Sequence, residues 1–116
     1  MRRVLIVAVL SLAAAVAAHG WAAQTSTDTP SIDLKSAEAI AEGKRLYAMR
    51  CSHYCHGKEG RRGIGPALRG RDLDPAYLYN RIANGFRPMP AWKSTYTPEQ
   101  IWDIVAYIES LKDAKD

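Results

Sequence analysis

Residues 51–56 read Cys-Ser-His-Tyr-Cys-His, and they hold both cysteines and two of the three histidines of the chain. Two thiols followed at once by a histidine form the layout of covalent haem attachment. Each thiol adds across one vinyl group of the porphyrin to give a thioether, and the adjacent His56 is placed to supply one axial nitrogen to the iron. The usual spacing leaves two residues between the cysteines, and here there are three. On a helix, positions i and i+4 are neighbours just as i and i+3 are, so Cys51 and Cys55 can still face one way. A local π-type bulge between them would absorb the extra residue. Two other chemistries compete for the same side chains. A Cys51–Cys55 disulfide would close a loop too small to constrain the unfolded chain much. A zinc site built from Cys51, His53, Cys55 and His56 would crowd four ligands into six residues, whereas structural zinc sites draw separate pairs together.

A second candidate ligand lies downstream. Met89 stands between Pro88 and Pro90 in a loop, a setting that suits a preset ligand better than a helix face. Its thioether is soft, and a His/Met pair on haem iron favours the ferrous state. The competing reading is a core methionine that fills space. Met49, the only other methionine beyond Met1, lies two residues from Cys51 and is poorly placed to reach the far side of the iron. His53 reads as a solvent-facing residue of the spacer.

These groups need elements to hold them. A first helix is expected from about Ser36 to Tyr54, because Ala39, Ile40, Gly43, Leu46, Tyr47 and Arg50 fall at three- and four-residue steps. Gly57 to Gly70 is rich in glycine and reads as loop. A short second helix is expected to open at Asp74-Pro75, an N-cap followed by an N1 proline, and to stop at Asn84-Gly85. Phe86 to Tyr96 is loop. Thr97-Pro98-Glu99-Gln100 then combines an N-cap, an N1 proline and a capping-box glutamine. The apolar stripe of that last helix is Ile101, Ile104, Val105, Ile108 and Leu111. Nothing reads as a strand. The expectation is an all-α fold of three to four helices, with long loops that require something to pack around.

The chain has 116 residues, enough for one small domain. Arg2 and Arg3 precede an uncharged apolar run, Val4 to Ala18, and small residues follow around Trp21. That is the layout of a secretory signal peptide over residues 1–22, cut after Ala22 or alternatively after Ala18 or Ala23. An uncleaved membrane anchor is the competing reading, since no charge appears between Val4 and Thr27. Residues 23–35 form a polar, flexible lead-in, and residues 36–116 form the domain. A mature chain of 94 residues has a modest core and benefits from a staple. From Lys44 to Lys93 the chain carries eleven Lys/Arg against three Asp/Glu, a net of +8, while the segments on either side are each −3. Lys58, Arg61, Arg62, Arg69 and Arg71 cluster in and beside the glycine loop. A positive surface there would steer an acidic protein partner. The small overall excess of charge and the export layout argue against nucleic acid.

Beyond the motif itself, the order of features resembles the class I monohaem cytochromes c of bacterial electron-transfer chains, from about Ser36 to Leu111. Gly43 and Tyr47 lie eight and four residues before Cys51. Gly63-Ile64-Gly65-Pro66-Ala67-Leu68 is similar to the family's Gly-x-Gly-Pro-x-Leu loop. Met89-Pro90-Ala91-Trp92 is similar to the loop that brings the second axial ligand, and Thr97 to Ile108 resembles the closing helix. The resemblance implies one haem c attached through Cys51 and Cys55, with His56 and Met89 as axial ligands. It also implies that the Pro66 carbonyl accepts the other ring N–H of His56, that Leu68 packs on the haem face, and that Tyr47 and Trp92 wall the pocket. Gly43 would let the first helix approach the last, with Tyr107 covering the contact. Tyr54 and Trp102 read as ordinary surface or core. The implied activity is single-electron transfer in the periplasm between protein partners, without catalysis. The rivals are a peroxidase-like or gas-binding haem with a labile sixth position, and a permanently bound cytochrome subunit of a dehydrogenase.

Overall fold

The computed structural model describes residues 30–115. The expected signal segment, residues 1–22, and the first part of the lead-in lie outside the described residues. Three α-helices follow in order: α1 (Ala37–Arg50), α2 (Pro75–Asn84) and α3 (Pro98–Ser110). A π-helical turn spans Ser52–His56 and a 3-10 turn spans Lys58–Gly60, both between α1 and α2. Among the described residues there is no strand, only an isolated bridge between Phe86 and Met89. The all-α expectation holds.

Each helix begins where its side chains can satisfy the orphan amides of the first turn. The Ser36 hydroxyl accepts from the Ala39 amide at 3.1 Å. The Asp74 carboxylate accepts from the Tyr77 amide at 2.8 Å, with Pro75 in the first helical position. At α3 the box is reciprocal: the Gln100 amide donates to the Thr97 hydroxyl at 3.2 Å, and the Thr97 amide donates to the Gln100 side chain at 3.0 Å. Such caps contribute about 1 kcal/mol each. The first helix ends earlier than its periodicity suggested. After Arg50 the backbone widens, and the His56 amide donates to the carbonyl of Cys51, five residues back, at 3.0 Å. The expected π-type bulge is therefore present, and it occupies the last turn of what was read as one continuous helix.

α3 is the centre of the fold. Ile101, Trp102, Ile104 and Val105 are all almost wholly buried. α1 crosses it at Gly43, where a side chain would collide with the backbone of Asp103. One turn on, the rings of Tyr47 and Tyr107 meet at 5.2 Å. α2 packs on α3 through Tyr79, whose ring lies 4.4 Å from that of Trp102. Trp102 is thus a core residue. Ile32 and Leu34, in the described end of the lead-in, pack against this core. Among the described residues no helix is long and apolar enough to cross a membrane.

Candidate haem site

The helices enclose the core on one side and leave a cleft of about 480 Å³ on the other. Its volume falls in the range of small-molecule and cofactor sites. α3 supplies Ile104 and Ile108 to the floor, and α2 supplies Leu78 and Ile82. The π-turn supplies Cys55 and His56, with Cys51 just before it. The glycine loop supplies Gly65, Pro66 and Leu68, and the tight turn after α2 supplies Met89. All six residues singled out in the sequence, Cys51, Cys55, His56, Pro66, Leu68 and Met89, line this one cleft.

The π-turn is held by the glycine loop. The Ile64 amide donates to the Tyr54 carbonyl at 2.9 Å, and the Gly65 amide donates to the Cys55 carbonyl at 2.7 Å. These bonds satisfy carbonyls that the end of the helical segment leaves without partners. The loop can come this close because residue 63 is glycine: a Cβ there would stand 2.5 Å from the Tyr54 carbonyl oxygen. The same loop carries Pro66 to His56. The Nδ1 of His56 lies 2.8 Å from the Pro66 carbonyl oxygen. A carbonyl can only accept, so Nδ1 carries the proton and Nε2 keeps its lone pair for a metal. His56 is buried, 9% exposed.

Cys51 and Cys55 are free thiols, not a disulfide. Burial pushes the Cys51 thiol up to about 12, and neighbouring Cys55 adds to the shift. It is a neutral group in the cleft wall. Among the described residues no three His, Cys, Asp or Glu side chains gather into a metal cluster. The zinc reading therefore lacks its ligand set. His53 and Tyr54 are both exposed, and neither is among the residues that line the cleft.

Met89 is held by the backbone of its turn. The Phe86 amide donates to the Met89 carbonyl at 3.0 Å, and the Met89 amide donates to the Phe86 carbonyl at 2.8 Å. The returning chain then caps α2. The Trp92 amide donates to the Ile82 carbonyl at 2.9 Å, and the Lys93 amide donates to the Ala83 carbonyl at 3.2 Å. Trp92 is not among the residues that line the cleft; it packs against the core, with its ring 6.0 Å from that of Tyr96. The pocket role implied for Trp92 is corrected accordingly. Tyr47 does line the cleft, and its hydroxyl donates to the Gly57 carbonyl at 3.0 Å.

The positive charge at the cleft comes partly from unexpected places. Of the glycine-loop cluster, Arg71 lines the cleft, while Lys58, Arg61, Arg62 and Arg69 do not. Arg69 donates to the Lys115 carbonyl at 2.9 Å, and Arg61 pairs with Glu59 at 3.6 Å. Arg81 and Arg87 line the cleft instead, with Tyr77 and Phe86 beside them. Sequence reasoning did not single out Arg81, Arg87 or Phe86 for the site. The only available signal was the four-residue step from Tyr77 to Arg81 on α2.

The donor set fits haem. Two neighbouring thiols stand on one wall, a histidine has its tautomer fixed, a thioether lies on the wall of the same cleft, and the space between is apolar. Fold and site together define a class I c-type cytochrome, with Cys51 and Cys55 as the cysteines that hold its haem c. Residues 38–108 match the family described as cytochrome C oxidase, cbb3-type, subunit III, and the chain belongs to that family of cytochromes c. It is 43% identical over 70 residues to the cytochrome c subunit of 4-cresol dehydrogenase [hydroxylating] from Pseudomonas putida, a match covering 60% of this chain and 59% of that one. It is 30% identical over 79 residues to cytochrome c6 of a Nostoc species, covering 62% and 70% respectively. Among solved structures, cytochrome cL of Methylophaga aminisulfidivorans superposes with a TM-score of 0.59 at 30% identity, covering 66% of this chain and 55% of that one. The c-type cytochrome NirC superposes with a TM-score of 0.55 at 25% identity, covering 69% of this chain and 99% of that one. The chain thus spans less than two thirds of the 4-cresol dehydrogenase subunit and of the cytochrome cL chain.

Proposed function

We propose that this cytochrome is a periplasmic single-electron carrier with His56 and Met89 as the axial ligands of its haem. One observation carries the reading: a buried histidine with Nδ1 committed to Pro66 and a methionine fixed by its turn line the same apolar cleft. Haem bound there supplies one iron that takes up and releases a single electron. The protein's part is to hold both axial groups and to exclude water from the ring faces. Pro66 fixes the orientation of His56 and raises its basicity. Leu68, Ile104 and Ile108 keep the surroundings apolar, and the Met89 thioether favours the ferrous state. With both axial positions filled, the chain passes electrons without transforming a substrate.

Arg71, Arg81 and Arg87 around the cleft support docking to a partner with an acidic surface. The apolar run behind Arg2 and Arg3 supports export to the periplasm. A second reading, a cytochrome subunit that stays bound to a dehydrogenase, is favoured by the likeness to the 4-cresol dehydrogenase subunit. The two differ in partner lifetime. A redox titration tests the ligand assignment. The parent protein should titrate as a single one-electron centre, and Met89→Ala should titrate at a lower potential. An unchanged potential in Met89→Ala contradicts the assignment. Co-purification of the tagged chain with a flavin- or quinone-type dehydrogenase in fixed ratio separates the bound subunit from the free carrier.

A further inference from the structure

Arg81 lies between two aromatic rings at the rim of the cleft. Its guanidinium carbon stands 5.1 Å from the centre of the Tyr77 ring and 4.0 Å from the centre of the Phe86 ring. Tyr77 is the residue one turn earlier on the same face of α2. Phe86 comes from the opposite direction, as the first residue of the tight turn that carries Met89. All of these side chains line the cleft.

The backbone makes Phe86 and Met89 one unit, since each donates to the carbonyl of the other. On its far side the chain is fastened to the last carbonyls of α2 through Trp92 and Lys93. Phe86 is 66% exposed, so burial holds it weakly, and the guanidinium of Arg81 meets its ring. A planar guanidinium can lie flat against two rings at once, which a lysine ammonium cannot. Within about 6 Å of a ring centre a cation is attracted by the π-face.

We propose that Arg81 is a positioning residue for Met89: the Tyr77–Arg81–Phe86 stack clamps the Phe86–Met89 turn against α2 and keeps the sulfur from swinging out of the cleft. The proposal rests on Met89 as an axial ligand and adds the device that controls how readily that ligand leaves. Arg81 acts through Phe86, not by touching the iron.

The test is the rate at which imidazole binds to the ferric holoprotein, a reaction that requires the Met89 sulfur to depart first. Arg81→Leu and Phe86→Leu should each accelerate binding about two- to fivefold, the size of one exposed cation–π contact. The double variant should be no faster than the faster single one, because both substitutions break the same contact. Phe86→Tyr keeps a ring and should bind at the parent rate. Parent-like rates in either leucine variant overturn the proposal. So do effects that multiply in the double variant, or a Phe86→Tyr that accelerates like Phe86→Leu. Carbon monoxide separates the two layers of the argument. Parent ferrous protein that takes it up at once overturns the Met89 assignment and this proposal with it. Resistant parent protein with unchanged variants overturns the clamp alone.

Discussion

Gly43 of α1 rests directly on the carbonyl of Asp103 in α3: a Cβ at position 43 would overlap that oxygen and stand 3.0 Å from the Tyr107 Cβ. The contact sets how closely the helix leading to the cysteines approaches the helix that floors the cleft. In an exposed helix, Gly→Ala gains about 1 kcal/mol. Here Gly43→Ala must push α1 off α3, and overpacking of this kind costs about 1–3 kcal/mol. Urea unfolding should show a net loss of stability. A neutral or stabilised variant would mean that the crossing is looser than the geometry shows.

Attachment through both thiols has a chemical signature. Haem should stay with the parent chain through acid and organic extraction. Cys51→Ala and Cys55→Ala should each retain less, and the double variant should release all of it. Free extraction from the parent would contradict covalent attachment. The π-turn from Ser52 to His56 accommodates the three-residue spacer with both cysteines in the cleft wall.

That turn shows how far the sequence could be read. The spacing Cys-x-x-x-Cys-His demanded an extra residue in a helical turn, so the bulge was legible from arithmetic alone. The caps at Asp74 and Thr97 were legible because capping depends on residues three apart. The positions of Trp92, Arg81 and Phe86 were not. They depend on where the chain returns after α2, and that is decided by the Trp92 and Lys93 amides reaching the carbonyls of Ile82 and Ala83. No periodicity encodes such a return. For the same reason the basic residues near Gly63 read as the rim of the site, while of that cluster Arg71 lines the cleft, joined by Arg81 and Arg87.

Glu109 gives a pH dependence. Burial raises its carboxyl above its ordinary value; Lys112 opposes the shift, and the like charges of Asp72 and Asp74 add to it. One carboxylate oxygen is buried with no hydrogen-bond partner. The folded chain holds this proton to higher pH than the unfolded chain does. Stability from this site is therefore present in acid and falls as pH rises through the carboxylate range. Glu109→Gln removes the decline. Its unfolding midpoint should exceed that of the parent at neutral pH, and the two should converge in acid. A variant less stable than the parent at neutral pH contradicts the sign.

Docking to an acidic partner is tested at Arg71 and Arg87, which line the cleft and lie outside the Arg81 stack. Arg71→Glu with Arg87→Glu should slow electron exchange with the partner most at low salt. The difference should shrink near 0.1 M ionic strength, where the field reaches only about 10 Å. Rates indifferent to both salt and substitution would leave these arginines as solubilising groups.

The central claim is that His56 and Met89 together fill both axial positions, which makes the protein a carrier and not an open haem. The most direct measurement is the absorption spectrum of the ferrous protein before and after carbon monoxide is added. With the Met89 sulfur in place, the parent spectrum should be unchanged by the gas, whereas Met89→Ala should shift at once. A parent spectrum that shifts as readily as that of Met89→Ala would contradict the account and move the protein to the gas-binding or peroxidase-like class.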